Sequence, residues 1–283
     1  MYDLVISAPA KINLTLDVLG KRPDGYHEVE MIMQSIDLRD YLMFRQLPGG
    51  FELSCNQPAL PVDESNLVTR AVKLLHQRHP WTGGVAIHLE KNIPLAAGLG
   101  GGSADAAAAL KGINELFELG LSLEELISIA AELGADIPFC LLEGTAVARG
   151  KGEILMSLTT PKPIWLVLVK PSVAVSTAKV YQGFRPERVK RRPQTAEMIQ
   201  ALQAGDLDRI CANLVNVLET VTLDWYPEIG QIKDDLLVRG ALGALMSGSG
   251  PTVFGVVADR AQAEHLARQF QSRYAEVFAV ATI

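Results

Sequence analysis

A glycine-rich stretch constrains the fold of this chain more than any other part of its sequence. Residues 94–110 read PLAAGLGGGSADAAAAL, and four of the five residues from Gly98 to Gly102 are glycine. Glycine lets the backbone adopt positive φ and approach a ligand closely. The alanine-rich run that follows predicts a helix that continues through Phe117.

The first turn of such a helix favours an anion, because its N–H groups lack intrahelical acceptors and carry partial positive charge. A glycine loop that leads into a helix N-terminus therefore predicts an anion site, most often for phosphate. A tight strand-to-helix turn is the simpler alternative. It would seldom need four glycines, since each one costs backbone entropy on folding.

Known phosphate-binding patterns can be compared with GLGGGSADA. A P-loop needs a lysine before its serine or threonine, and here Ser103 follows glycine. Gly98, Gly100 and Ser103 nearly satisfy the dinucleotide fingerprint, but the acidic residue expected about 20 positions later, Glu118, falls in a helix pattern. Protein-kinase signatures such as H-R-D are absent. The loop alone therefore predicts an anion site without identifying its ligand.

Length and composition narrow the class of protein. With 283 residues and 48% hydrophobic content, the chain can bury a substantial core, and we expect two domains. The proline-rich stretch Thr159–Pro163 is the predicted boundary, which gives domains 1–160 and 161–283. A formal net charge of -6 argues against a nucleic-acid partner, which would normally face a basic surface.

Targeting signals are not recognisable in the sequence. No apolar run approaches the ~20 residues that cross a bilayer, so no membrane partner is expected. The N-terminus lacks the pattern of a signal peptide. Three widely spaced cysteines fit neither a disulfide framework nor a zinc site. We expect a cytoplasmic protein of bacterial type, or a plastid stroma protein if a plant transit peptide has been removed.

Strand and helix patterns are mixed in both halves, which predicts the α+β class rather than a regular parallel α/β repeat. Apolar and polar residues alternate at Leu4–Ala8 and Ile12–Val18, and this predicts a pair of strands interrupted by Pro9. A hairpin is predicted around Pro48–Gly50, and a helix over Asp206–Glu219.

Three blocks of sequence carry a family resemblance. They read APAKINLTLDVLGKRPDGYHEV, PLAAGLGGGSADAAAAL and LMSGSGPTVFGVV, and they span nearly the whole chain. Together they resemble the small-molecule kinases named for galactokinase, homoserine kinase, mevalonate kinase and phosphomevalonate kinase (GHMP kinases). The resemblance implies an N-terminal domain like domain 2 of ribosomal protein S5 and a ferredoxin-like C-terminal domain.

Within this superfamily, PAKINL, RPDGYHE and GADIPF are most similar to the kinases of the non-mevalonate isoprenoid pathway. Those enzymes transfer the γ-phosphate of ATP to the C2 hydroxyl of a cytidine diphosphate-linked methylerythritol. A kinase for homoserine or mevalonate remains an alternative, as does a nucleotide-binding protein of the same fold without turnover.

The resemblance implies ATP and Mg²⁺ as cofactors. It assigns the phosphates of ATP to Gly98–Ser103, the adenine to Asn66 and a Mg²⁺-side role to the Ser103 hydroxyl. An acidic magnesium ligand beyond the glycine loop cannot be identified. The predicted ATP-binding residues are Pro94, Leu95, Ala96, Ala97, Gly98, Leu99, Gly100, Gly101, Gly102, Ser103, Ala104 and Asn66.

Two charged residues match the catalytic positions of the family. Asp136 corresponds to the base that accepts the proton of the nucleophile. Lys11 would neutralise charge at the transferring phosphoryl group and keep Asp136 ionised, since a nearby cation lowers a carboxylate pKa. A structural salt bridge between the two is the alternative role.

Five further residues match contacts to the second substrate. Tyr26 and Tyr181 correspond to the rings that enclose the cytosine, where stacking holds the base. His27 corresponds to a hydrogen-bond partner of the base. Asn13 and Thr177 match polar contacts to the substrate.

Overall fold

The computed structural model describes residues 2–283 and confirms the α+β class. The strands are β1 (Leu4–Lys21), β2 (His27–Leu47), β3 (Phe51–Cys55), β4 (Gly84–Glu90), β5 (Thr145–Gly150), β6 (Ile154–Leu158), β7 (Trp165–Lys170), β8 (Val215–Asn216), β9 (Gly243–Met246), β10 (Val253–Val257) and β11 (Glu276–Ala281). The helices are α1 (Leu67–Arg78), α2 (Gly101–Leu116), α3 (Leu123–Leu133), α4 (Ile137–Leu142), α5 (Thr177–Gly183), α6 (Thr195–Ala204), α7 (Leu207–Ala212), α8 (Glu219–Trp225), α9 (Pro227–Val238) and α10 (Arg260–Gln271). None of these helices is long and apolar enough to span a membrane.

The chain divides into two compact units whose segments alternate along the sequence. Unit one contains the residues through Ala10, Leu38–Ile93 and Gly100–Glu143. Unit two contains Lys11–Asp37, Pro94–Leu99 and Gly144–Ile283. The predicted domain boundary after residue 160 falls within unit two, between β6 and β7. It stays a prediction about domain organisation.

Unit one contains a sheet in which β4 lies between β2 and β3. Strand β4 pairs antiparallel with β2 and parallel with β3, so the predicted hairpin around Pro48–Gly50 is wrong. The reason is a close crossing of backbones: Val85 N donates to Gly50 O at 3.0 Å, and a Cβ on Gly84 would collide with the backbone of Gly49. The turn therefore leads the chain past the start of β4 instead of back along β2.

Helix α2 forms the alanine-rich centre of unit one. It ends at Leu116 with Phe117 as its C-terminal cap, which confirms the helix predicted from the alanine run. Small side chains let this helix pack closely, and a Cβ on Gly112 would overlap the ring of Phe44 on β2. Its buried alanines are Ala104, Ala106, Ala107, Ala108 and Ala109.

Unit two contains a four-stranded antiparallel sheet in the order β11-β7-β10-β9. Helix α9 packs on β9 and β10, and α10 packs on β7 and β11. Along the chain the sheet and its two helices follow as β7, α9, β9, β10, α10 and β11, with α5 to α8 and β8 inserted between β7 and α9. This order and the strand order are those of a split βαβ arrangement. The predicted ferredoxin-like C-terminal domain is thereby confirmed.

Two predictions of secondary structure need correction. One strand, β1, runs from Leu4 to Lys21 through Pro9. Strand β1 lies between β2 and β8 in its sheet, and β8 pairs with it only at Thr15 and Leu16. On that side the part of β1 that contains Pro9 is therefore an edge, where a strand tolerates proline. The helix predicted over Asp206–Glu219 is interrupted by β8, because pairing with β1 overrides the local helix pattern.

Candidate active site

The glycine loop, defined here as residues 94–100, turns sharply before α2. Gly98 and Gly100 have φ of +74° and +69°, and Ala96 also has a positive φ of +51°. A Cβ on Gly98 would lie 2.5 Å from the carbonyl oxygen of Ser247 and 2.8 Å from that of Gly250. Glycine is therefore required at 98 both by conformation and by close packing of backbone on backbone.

A turn between β9 and β10, residues 247–252, supports this loop. The Ser247 hydroxyl donates to Gly98 O at 2.9 Å, and Thr252 N donates to Ala97 O at 3.3 Å. The turn belongs to the third sequence block, LMSGSGPTVFGVV. Two glycine motifs about half a chain apart thus pack against each other within unit two.

Asn216 holds the 247–252 turn, and sequence reasoning missed this residue. Its side-chain amide donates to Met246 O at 2.8 Å and to Gly248 O at 2.7 Å, and its Oδ1 accepts from Leu218 N at 3.0 Å. The side chain is buried. The surrounding helix pattern hid the two-residue strand β8, and with it this contact.

The start of α2 offers backbone donors. Gly101, Gly102 and Ser103 are its first three residues, and helix geometry leaves their N–H groups without intrahelical acceptors. Gly100 supplies no side-chain cap. The fourth residue differs, because Ala104 N donates to Gly100 O at 2.9 Å and its side chain is buried. The free helix end can hold an anion.

The other residues predicted for ATP have varied surroundings. Ala97 and Leu99 are buried, while Pro94 and Leu95 are half-buried and Ala96 is exposed. Asn66 caps α1, since its Oδ1 accepts from Val68 N at 2.9 Å and its Nδ2 donates to Pro61 O at 2.6 Å.

A buried charged cluster in unit one was also missed by the sequence predictions. Lys91 contacts Asp40 and donates to Asp105 Oδ2 at 2.8 Å. The second oxygen of Asp40 accepts from Asn92 N at 2.6 Å and from Ile93 N at 2.8 Å. Burial disfavours the charged form of Lys91, but Asp105 and Asp40 outweigh it and raise the pKa of the ammonium. Burial raises the pKa of Asp105 to about 8.

Lys11 and Asn13 lie on the same face of β1. Lys11 Nζ donates to Asn13 Oδ1 at 2.9 Å, and the Asn13 amide contacts Met31 Sδ at 3.1 Å. Both side chains are buried. The backbone N–H of Lys11 donates to Leu99 O at 2.9 Å. The backbone of the predicted catalytic lysine is therefore hydrogen-bonded directly to the glycine loop.

Asp136 precedes α4 and is half-buried. Its side chain makes no capping hydrogen bond to the helix, although its carbonyl oxygen accepts from Cys140 N at 3.2 Å. Capping is thus not the role of this carboxylate. Asp136 belongs to unit one and Lys11 to unit two, and their pairing stays a prediction.

The residues predicted for the cytosine lie around β2 and α5. The rings of His27 and Tyr181 are 5.2 Å apart between centroids, at an interplanar angle of 35°. The side chain of Tyr26 is exposed, and the centroid of its ring lies 5.0 Å from Lys151 Nζ. Burial and then the charge of Lys21 lower the pKa of His27, so its imidazole is neutral near pH 7 and offers one donor and one acceptor.

The remaining predicted substrate residue begins α5. Thr177 Oγ1 lies 2.8 Å from Ser249 Oγ, within hydrogen-bond distance. Ser249 belongs to the 247–252 turn. One turn of unit two therefore contacts both the glycine loop and the first residue of α5.

The residues that could hold a metal ion are few. Within residues 2–283, no group of three or more His, Cys, Asp or Glu side chains is arranged to bind a metal. The first carboxylate after the glycine loop, Asp105, is bound to Lys91. Ser103, half-buried in the first turn of α2, is the polar side chain nearest in sequence to the loop glycines.

Known protein families match the two segments of the chain that contain the glycine loop and the 247–252 turn. The family description "GHMP kinases N terminal domain" matches residues 66–144, which include the glycine loop. The description "GHMP kinases C terminal" matches residues 198–276, which include the 247–252 turn. The chain is a GHMP kinase.

Individual relatives define the family more narrowly. The 4-diphosphocytidyl-2-C-methyl-D-erythritol kinase of Shouchella clausii is 48% identical over 98% of this chain and 94% of its own length. Its counterpart from Pelotomaculum thermopropionicum is 52% identical over 93% of this chain and 92% of its own length. This chain belongs to the family of 4-diphosphocytidyl-2-C-methyl-D-erythritol kinases.

Solved structures share the whole fold. A crystal structure of a 4-(cytidine 5'-diphospho)-2C-methyl-D-erythritol kinase matches with a TM-score of 0.86 and 34% identity, and the match covers 99% of each chain. A homoserine kinase from Cytophaga hutchinsonii matches with a TM-score of 0.78 at 21% identity over 99% of this chain and 94% of its own, which shows the fold alone.

Proposed function

We propose that this chain transfers the γ-phosphoryl group of ATP to the C2 hydroxyl of 4-diphosphocytidyl-2-C-methyl-D-erythritol, a step of the non-mevalonate isoprenoid pathway. The names of its relatives support this substrate. One feature of unit two carries the proposal: the 247–252 turn contacts Gly98 of the glycine loop and Thr177 of α5. A phosphate loop and the helix proposed to carry cytosine contacts thus share one support.

ATP is proposed to place its phosphates on Gly98–Ser103, with its adenine near Asn66. The N–H groups at the start of α2 would donate to the phosphate oxygens. Magnesium bound to a nucleotide takes most of its ligands from phosphates and water, so a site with the single hydroxyl of Ser103 fits such an ion. When bound, the ion would neutralise phosphate charge.

Asp136 is proposed as the base and Lys11 as the stabilising cation. As the C2 oxygen bonds to the γ-phosphorus, the bond from that phosphorus to the bridging oxygen breaks, ADP leaves, and Asp136 takes the hydroxyl proton. Asn13 orients Lys11 through the 2.9 Å contact to its ammonium. An ammonium held in this way can stabilise oxygen charge without reorganising.

Recognition of the cytidine is proposed for His27, Tyr181 and Tyr26. A neutral imidazole can offer both a donor and an acceptor to the edge of the base, and it lies beside the ring of Tyr181. Tyr26 is exposed and available for stacking. Asn13 and Thr177 are proposed as polar contacts to the substrate, and the cytoplasm as the location of the enzyme.

A coupled assay of ADP release tests this proposal. The purified chain is given Mg²⁺-ATP with 4-diphosphocytidyl-2-C-methyl-D-erythritol, with homoserine or with mevalonate. We expect turnover with the first acceptor only. Turnover with another acceptor instead would identify a different GHMP kinase. Nucleotide binding without turnover of any acceptor would indicate a non-catalytic protein, and either result would overturn the proposal.

A further inference from the structure

The buried cluster of Asp40, Lys91 and Asp105 joins the two ends of the glycine loop. Lys91 lies three residues before Pro94, where the loop begins, and Asp105 is the fifth residue of α2, into which it leads. Asp40 on β2 accepts N–H bonds from both residues that link Lys91 to the loop, Asn92 and Ile93. The contacts of this cluster thus fix the residues just before the loop, Asn92 and Ile93, and the first turns of α2 just after it.

Stability alone is a poor reason for such a cluster. The side chains of Lys91, Asp40 and Asp105 are 3%, 0% and 3% exposed. Desolvation of buried charges offsets most of their mutual attraction, and apolar residues of similar volume often replace them without loss. Asp105 also keeps one buried oxygen, Oδ1, without a hydrogen-bond partner, which is unfavourable. The geometry that the cluster imposes offers a better explanation.

We propose that Asp40, Lys91 and Asp105 are positioning residues that hold the first turn of α2 where it binds the nucleotide's phosphates. A Cβ on Gly101, the first residue of α2, would lie 3.1 Å from Lys91 Nζ and 3.0 Å from Ile93 Cγ2. The helix start therefore rests directly on the cluster. Phosphoryl transfer depends on alignment, so small displacements of these N–H groups are costly. The inference rests on the proposed function in one respect, namely that the loop binds ATP.

The test compares Asp105→Asn and Asp40→Asn with the control Glu276→Gln. Asn at 105 keeps the shape and an acceptor for Lys91. Asn at 40 has a single oxygen, so it cannot accept both from Lys91 and from the backbone N–H groups of Asn92 and Ile93. Glu276 forms an ion pair with Lys170 between β11 and β7, away from the glycine loop in sequence. Binding of Mg²⁺-ADP is measured by calorimetry, and KM is measured separately for ATP and for the acceptor.

For Asp40→Asn we expect ADP affinity to fall about tenfold to a hundredfold, the size of effect that a misplacement of about 1 Å can cause, and for Asp105→Asn we expect a smaller fall. The KM for ATP should rise in parallel, while KM for the acceptor and ADP binding by Glu276→Gln stay near wild type. Unchanged ADP affinity in Asp40→Asn, or an equal rise of both KM values, would overturn the proposal. The ADP titration needs no acceptor, so it remains decisive even if the proposed acceptor is not turned over.

Discussion

Replacing Asn216 by alanine should destabilise this enzyme far more than the removal of so few side-chain atoms suggests. The substitution removes two donors from buried carbonyls, Met246 O and Gly248 O, and one acceptor from Leu218 N. Each buried backbone group left without a partner costs about 1–3 kcal/mol. A water molecule can enter the vacated space and satisfy some of them. Three such groups, at the lower end of that range, give an expected loss of about 3–5 kcal/mol.

Chemical denaturation at 25 °C measures this loss as a lower transition midpoint with an unchanged slope. Asn213→Ala is the matched control, because Asn213 lies three residues earlier and its amide makes one bond, to Arg209 O at 2.9 Å. The control should change stability by about 0.5 kcal/mol or less. Asn216→Asp keeps the shape but turns an acceptor toward two carbonyls, so it should be no milder than alanine. If Asn216→Ala behaves like Asn213→Ala, the 247–252 turn does not depend on this side chain.

Three further predictions concern catalysis, specificity and pH. Asp136→Asn should lower kcat about 10²-fold or more, in line with general base catalysis, while calorimetry still detects ADP binding; an unchanged kcat would exclude the base role. Tyr26→Ala should raise KM for the cytidine substrate far more than KM for ATP, and an equal rise would place the ring elsewhere. Hydrogen bonds from Thr195, and then from Arg149, lower the pKa of Glu30 in the folded state. The ionised carboxylate therefore stabilises the fold above the unfolded-state pKa near 4.5, and this stabilisation is lost as pH falls through the lower folded-state pKa. The stability of Glu30→Gln should therefore decrease less than that of the wild type as the pH is lowered. Identical acid-unfolding curves for the two proteins would contradict this expectation.

Local signals in the sequence were sufficient for the elements that depend on neighbouring residues. The alanine run predicted α2, and the glycines before it predicted the loop with positive φ at Gly98 and Gly100. Pairing between distant segments was not predictable in the same way. Strand β4 enters between β2 and β3, and β8 forms inside a helical pattern, because partners far away in the sequence determine both.

The same distinction applies to the candidate site. Resemblance identified residues that contact ligands in the family, but not those that support them. Asn216 and the Lys91 cluster act through backbone groups of other segments, which no local pattern reveals. One signal was present, since Asp105 is the single charged residue in the alanine run of residues 104–109. A buried acid at such a position requires a partner, and Lys91 supplies it.

Contacts or conformation within the protein explain three of the four glycines between positions 98 and 102. Gly98 has no room for a side chain beside the carbonyl oxygens of the 247–252 turn. Gly100 has φ of +69°, and a Cβ on Gly101 would be crowded by Lys91 and Ile93. The number of glycines, taken alone, is therefore weaker support for a ligand than the sequence suggests.

Gly102 is different, because no contact among residues 2–283 requires glycine there. The nearest atom to a Cβ at this position is Leu67 Cδ1 at 3.7 Å, an ordinary contact, and the residue is exposed in the first turn of α2. Gly102→Ala should thus leave stability unchanged or raise it by about 0.4–1 kcal/mol, since alanine suits a helix better. If the N–H groups of this turn bind phosphate closely, the added methyl group should nevertheless weaken ADP binding in calorimetry. A stable variant with unchanged ADP affinity would show that the phosphates do not approach the backbone at this residue.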